Sequence, residues 1–201
     1  MHEKLIKLCS AGLLEELKEY LRTNTNISIS QCTDAFQHAT YYGHLEILKC
    51  LLEYKKNIDI SCDNNYNFRI ASLNGHLHIL KFLLEINKNI NISAKNEDAF
   101  RSAASNNHID ILKFLLQCKQ DIDISAENEQ AFEHAVLYGY QSTLKFLLNH
   151  NPLTKIQLLN LSIEENIQEI IQIILKYQII NYKTTNLDIL SYIPKFYLIH
   201  L

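Results

Sequence analysis

Four phenylalanines recur at one fixed interval: Phe36, Phe68, Phe100 and Phe132, each 32 residues after the last. A period in this range marks an array of small supersecondary units, because a unit this short cannot bury its apolar face alone and must stack on a neighbour. The columns around the phenylalanines repeat with them. Ala39, Ala71, Ala103 and Ala135 follow three residues later, then Gly43, Gly75, Asn107 and Gly139, then His44, His76, His108 and Tyr140. An Ile-Leu-Lys-x-Leu-Leu segment comes next, at 47–52, 79–84 and 111–116, and the fourth copy keeps Leu144, Lys145, Leu147 and Leu148. The first three copies close with Ile-x-Ile-Ser at 58–61, 90–93 and 122–125.

Phe and Ala three apart share one face of a helix. The glycine column ends that helix, since glycine takes the left-handed conformation without a Cβ penalty, and Asn107 is the usual substitute. Asn64, Asn96 and Asn128 precede the segment and are expected to act as N-caps. The second helix carries Ile47, Leu48, Leu51 and Leu52 on one stripe. The alternating Ile58 and Ile60 read as a short extended connector. Each unit is therefore helix, tight turn, helix, connector.

The ends are divergent copies. Gly12, Leu14, Leu17, Leu21, Ile27, Ile29 and Ser30 match Gly43, Leu45, Leu48, Leu52, Ile58, Ile60 and Ser61 at an offset of 31. The charged outward positions there suit a terminal cap. Asn166, Ile171, Ile174 and Leu175 match the fourth copy at an offset of 27, with Pro152 in the gap. The division expected is a cap repeat over 1–31, central repeats over 32–63, 64–95, 96–127 and 128–153, a closing cap over 154–180 and an apolar tail over 181–201. That tail includes Phe196-Tyr197-Leu198-Ile199.

From Ala39 through Gly43-His44 to Leu52, and on to Asn57-Ile-Asp-Ile-Ser61, the chain resembles the ankyrin repeat. The resemblance extends over residues 1–177 because many columns agree at once. It implies an all-α helical-hairpin solenoid that binds a protein partner through its concave face. Copies with phenylalanine in this column look like those of intracellular bacteria and large viruses, which points to an effector acting on a host protein. The family's Thr-Pro-Leu-His is absent: its Leu column holds the four phenylalanines, and its His column holds Arg69 and Arg101. Two extra residues before Ile60 and three fewer after Ser61 predict a longer exit from the second helix and a shorter projecting finger.

Composition narrows the classes. A formal net charge of −3 argues against generic nucleic-acid binding. No run approaches the roughly 18 apolar residues of a membrane span, and the N-terminus has no signal-peptide core. Five cysteines without metal-like spacing read as reduced, small hydrophobes of a cytosolic protein. The setting expected is the cytoplasm, or a host cytosol for an effector, with the chain a monomer and no cofactor or metal.

Several columns offer chemistry and are better read as framework. His44, His76 and His108 lie one per unit, about 10 Å apart on neighbouring helices, too far to share an ion at bond lengths of about 2 Å. His76 and His78, two apart, do not share a helical face. Lys49, Lys81, Lys113 and Lys145 form a stripe diluted by Glu46, Glu53, Glu85 and Asp110, as on a solvated face. Cys50 and Cys62 read as packing residues rather than a redox pair. No phosphate loop, nucleophile elbow or metal spacing supports catalysis.

The informative positions vary while the framework stays fixed. Tyr41-Tyr42, Leu73-Asn74, Ser105-Asn106 and Leu137-Tyr138 stand just before the glycine column. Tyr66 stands near the shortened fingers, and Arg69 and Arg101 stand in the family's His column. Tyr and Arg combine contact area with polar tips, as binding hot spots do. These eleven residues are the expected partner-binding set. The rival sites for binding are the apolar C-terminal tail and, in another class altogether, an unrecognised catalytic pocket.

Overall fold

A computed structural model describes residues 2–150, with Asn128 and Glu129 by their backbone alone. The closing cap, the Pro152 break and the apolar tail lie outside the described residues, as does the capping role expected of the Asn128 side chain. The described residues form ten helices: α1 (His2–Ser10), α2 (Leu14–Thr23), α3 (Ile29–Tyr42), α4 (Leu45–Tyr54), α5 (Cys62–Leu73), α6 (Leu77–Ile86), α7 (Ala94–Ser105), α8 (Ile109–Cys118), α9 (Ala126–Leu137) and α10 (Gln141–His150). No strand forms among them. The fold is the all-α hairpin array that the period predicts. The chain packs as two units, residues 1–131 and 132–201, divided within α9.

In the first unit the odd-numbered helices form one row. α1 packs on α3, α3 on α5 and α5 on α7, and each packs on the second helix of its own hairpin. The phenylalanine column supplies the reason. Phe36, Phe68 and Phe100 are at most 1% exposed, and the alanines three residues on are fully buried, so neighbouring helices approach over small side chains. The stripe on each second helix is buried as well, at Ile47, Leu48 and Leu51, Ile79, Leu80 and Leu83, and Ile111, Leu112 and Leu115. Burial of one such side chain contributes about 1.5–3 kcal/mol. Ile58, Ile90 and Ile122 tuck in from the connectors. In the described part of the second unit, Phe132, Ala135, Val136, Leu144, Leu147 and Leu148 are buried.

The first helix of every hairpin ends in the same way. The glycine-column residue has a left-handed backbone, with φ of 69° at Gly12, 83° at Gly43, 79° at Gly75, 60° at Asn107 and 68° at Gly139. The amide of the next residue then reaches back to the alanine column: His44 N–H to Ala39 O at 2.9 Å, His76 to Ala71 at 2.9 Å, His108 to Ala103 at 2.9 Å and Tyr140 to Ala135 at 2.8 Å. A second amide, that of the glycine or Asn107 itself, bonds the carbonyl three residues earlier. This pair of bonds is the Schellman motif, which satisfies carbonyls that the end of a helix leaves open.

The other end of the hairpin differs from the sequence expectation. Asn64 and Asn96 do not cap their helices. They lie inside left-handed turns, Asp63-Asn64-Asn65 with φ of 51°, 57° and 59°, and Lys95-Asn96-Glu97 with φ of 57°, 53° and 59°. Glu127 enters the same conformation with φ of 53°. Asn and Asp tolerate this region because their short polar side chains bond locally, whereas other L residues lose roughly 1–2 kcal/mol each. The turn stands after the Ile-x-Ile-Ser connector, where a short finger was expected. Asn67 is buried, donates its Nδ2–H to Ile60 O at 3.1 Å and fastens the turn from inside.

The first central hairpin has no such turn. Ile29 and Ser30, read above as the closing residues of the cap repeat, belong to the first turn of α3. The cause is a capping box. Gln31 N–H donates to Ser28 Oγ at 3.2 Å, and Ser28 N–H donates to Gln31 Oε1 at 2.9 Å, so two open amides are satisfied and the helix begins early.

Candidate functional site

The residues just before the glycine column end up at the exposed tips of the first helices, and their helix positions explain why. Phe36 and Ala39 commit one face of α3 to the core, and Tyr41 and Tyr42 follow on the last turn, 45% and 52% exposed. Their rings meet edge to face, with centroids 4.9 Å apart. Tyr42 also lies parallel to the His44 ring at 6.4 Å. Leu73, at the end of the adjacent α5, is exposed. The His76 side chain ties the two tips together, donating Nε2–H to Tyr41 O at 2.9 Å. The result is a small apolar and aromatic surface on a rigid base.

The next repeats are polar at the same register. Asn74 is half-buried and bonds Ile70 O through Nδ2 at 2.9 Å, and Asn106 does the same to Ser102 O at 2.9 Å. Both amides finish their own helices, and Ser105 is half-buried beside Asn106. In the second unit, Leu137 and Tyr138 are each 57% exposed. Tyr138 is flanked by His134 at 5.7 Å and by Tyr140 at 5.8 Å.

Tyr66, Arg69 and Arg101 are placed differently. Tyr66 is half-buried with the Arg69 guanidinium 5.9 Å above its ring. The Arg69 side chain is only 20% exposed and that of Arg101 only 12%. Both guanidinium groups are turned back onto the left-handed turns of their own repeats and forward to the following repeat: Arg69 ion-pairs with Asp98 at 2.6 Å, and Arg101 bonds Gln130. The expected set therefore divides. Tyr41, Tyr42, Leu73, Leu137 and Tyr138 offer exposed surface, while Arg69 and Arg101 are engaged within the array.

The histidine column is structural in a way that spacing alone does not reveal. Each ring reaches over the glycine of the preceding repeat and donates Nε2–H to a carbonyl beside it: His44 to Ser10 O at 3.0 Å, His76 to Tyr41 O at 2.9 Å, His108 to Leu73 O at 3.1 Å. The donor must be the ring, since a carbonyl can only accept. A Cβ placed on Gly12, Gly43 or Gly75 would stand 2.7–2.8 Å from the imidazole. The glycines are thus required twice, for their backbone angle and for the room they leave. His78 adds a bond to Gly43 O at 3.1 Å. Burial holds the His76 imidazole below its ordinary range, although the bond to Tyr41 O acts in the opposite direction.

The cysteine thiols are the remaining reactive groups among the described residues. Burial pushes the Cys9 thiol up to about 12 and also raises Cys32, Cys50, Cys62 and Cys118. These are thiols held away from the nucleophilic thiolate form. All five are free, Cys50 and Cys62 included. Among the described residues no group of three or more His, Cys, Asp or Glu side chains could hold a metal ion. No helix among them is long and apolar enough to cross a membrane.

The family model for ankyrin repeats (three copies) matches residues 5–96, 68–160 and 100–186. No curated protein matches the chain.

Proposed function

The chain belongs to the ankyrin-repeat family, whose arrays are generally protein–protein interaction modules, and on that premise we propose that it is a non-enzymatic module binding a protein partner through the tips of its first helices. In the family this is the concave side. One observation carries the reading. The framework buries its phenylalanines, alanines and leucines, yet leaves large side chains exposed where the repeats differ from one another, at Tyr41, Tyr42, Leu73, Leu137 and Tyr138. Such side chains offer much contact area per rotatable bond. Held on capped helix ends, they lose little freedom on association. The polar stretch at Ser105 and Asn106 separates these positions along the sequence, so the partner is expected to combine apolar anchors with polar groups.

The reading includes a cytosolic setting, with the host cytosol as the place of action for an effector, and a monomeric chain. Free thiols are consistent with a reducing compartment. Affinity capture from cell extract, read by mass spectrometry, tests the surface. Tyr41→Ala/Tyr42→Ala/Tyr138→Ala is expected to lose the proteins that the wild-type chain retains, by about a hundredfold in affinity if each tyrosine contributes roughly 1 kcal/mol, with an unchanged melting temperature. An identical capture profile for the triple variant would refute the surface. Deletion of residues 182–201 is the companion arm: binding lost there, with the tyrosines intact, assigns the interaction to the tail.

A further inference from the structure

The left-handed turns at 63–65 and 95–97 have no part in partner binding as read above, and an arginine reaches back onto each of them. Arg69 folds back along the chain, donating Nε–H to Asn64 O at 3.2 Å and an Nη2 proton to Asp63 O at 3.3 Å. Its Nη1 reaches Asp98 Oδ2, on the first helix of the next repeat, at 2.6 Å. Arg101 repeats the arrangement one period later. Its Nε–H goes to Asn96 O at 2.8 Å, an Nη2 proton to Lys95 O at 3.2 Å, and Nη1 to Gln130 Oε1 in the following repeat. Asp98 also accepts from Arg101 Nη2 at 3.4 Å, so it lies between the two guanidinium groups.

Backbone bonding within the turn does not choose its hand. The turn is closed by Asn65 N–H to Ser61 O at 3.1 Å and by Glu97 N–H to Ser93 O at 3.2 Å. A right-handed turn closes the same bond to the residue four back, and Cβ sterics favour it. What differs is the fate of the carbonyls of residues 63 and 64, or 95 and 96. In a right-handed continuation they would accept from amides four residues on. In the left-handed turn they accept from the guanidinium.

We propose that Arg69 and Arg101 are latches that set the hand of these turns and tie it to docking of the next repeat, so that turn and junction open together. One planar side chain performs both tasks because its fork presents several donors in fixed directions, two of them used by the turn and one by the neighbour. The released state is the right-handed turn.

Hydrogen exchange by mass spectrometry on the full chain tests this. Arg69→Gln is expected to speed exchange about tenfold in the segment 61–69 and also in 94–101, with 32–54 unchanged. Adding Asn64→Gly should restore protection in 61–69, because glycine accepts the left-handed angle without a latch. It should leave 94–101 fast, because the bond to Asp98 is still missing. Loss of packing alone would not be repaired by a glycine. The proposal fails if Arg69→Gln leaves 61–69 as in wild type, if the acceleration stops short of 94–101, or if Asn64→Gly worsens the variant. Should Arg69→Gln lose its helical circular dichroism, Arg69→Lys replaces it with the same expectations, since lysine keeps the charge and lacks the fork.

Discussion

The tips of the hairpins and, at α5 and α7, their connector ends solve the same backbone problem by opposite means. At the tip end, a left-handed residue closes the first helix, and glycine supplies it at Gly12, Gly43 and Gly75. The space a side chain would need is filled by a histidine from the next repeat. At the connector end, three successive residues with side chains adopt the same region, and an arginine holds them there. The first solution removes the steric cost, and the second offsets it. Two hydrogen bonds from a charged donor are worth about 1.5–3 kcal/mol each, comparable with the roughly 1–2 kcal/mol per residue that the left-handed turn costs. Gly12, Gly43 and Gly75 should therefore resist substitution, and the connector end should be improvable.

The largest effect that this contrast predicts is at Gly43. Gly43→Ala adds a Cβ 2.7 Å from the His76 ring at a φ of 83°. Backbone strain of roughly 1–2 kcal/mol adds to an overpacking cost of about 1–3 kcal/mol, and displacement of the ring endangers its bond to Tyr41 O. Urea denaturation should report a loss of about 2–5 kcal/mol. Gly139→Ala sharpens the point, because no atom of the described residues lies within 4 Å of the added Cβ there. It should lose only the backbone term, about 1–2 kcal/mol. Equal losses at the two positions would show that the imidazole yields freely.

At the connector end, Lys95→Gly should stabilise. Lys95 is exposed, has a φ of 57°, and lacks the local bonding of an asparagine side chain. Relief of the left-handed cost outweighs the added freedom of the unfolded chain, which is about 0.5–1 kcal/mol for a glycine, and a net gain of about 0.5–1 kcal/mol is expected from the same denaturation curves. A loss would place the strain elsewhere.

The smallest effect is on pH dependence. Burial disfavours the charged form of His76, so the unfolded chain binds its proton more readily than the folded one. Its contribution to stability is complete above the ordinary imidazole value of about 6.5 and declines as pH falls through that value to the lower one of the fold. His76→Gln keeps a donor for Tyr41 O and removes the titration. The difference in melting temperature between pH 7.5 and pH 5.5 should be smaller in the variant, by a margin limited by the partial exposure of the ring.

Most of the array was legible in the sequence because its information is periodic. The phenylalanine, alanine and glycine columns each report a local requirement, whether burial, close approach or backbone hand, and Asn107 was recognisable as a stand-in for glycine. The exposure of Tyr41, Tyr42 and Tyr138 also followed from their place after a committed core face. The left-handed turns were not legible, because Asp63-Asn64-Asn65 and Lys95-Asn96-Glu97 contain no glycine to announce a positive φ. The asparagines fit an N-cap equally well by composition. The arginines were read as surface, since their spacing of five residues from Asn64 and Asn96 matches no helical contact and becomes meaningful only once the chain reverses hand. The capping box was present as Ser28-x-x-Gln31, and its signal was obscured by the match of Ile29-Ser30 to the closing residues of later copies. The second role of the glycines rests on a side chain one repeat away, which no local window contains.

The fit of each imidazole over bare backbone gives the array a direction and an assembly rule. A copy that carries the histidine can be seated only behind a copy that offers a glycine, so duplication or exchange of repeats is filtered by the residue the upstream neighbour presents. An array elongated by gene duplication would keep its stacking where glycine-bearing copies lead, and would need a compensating change at the histidine wherever a copy like the one bearing Asn107 leads.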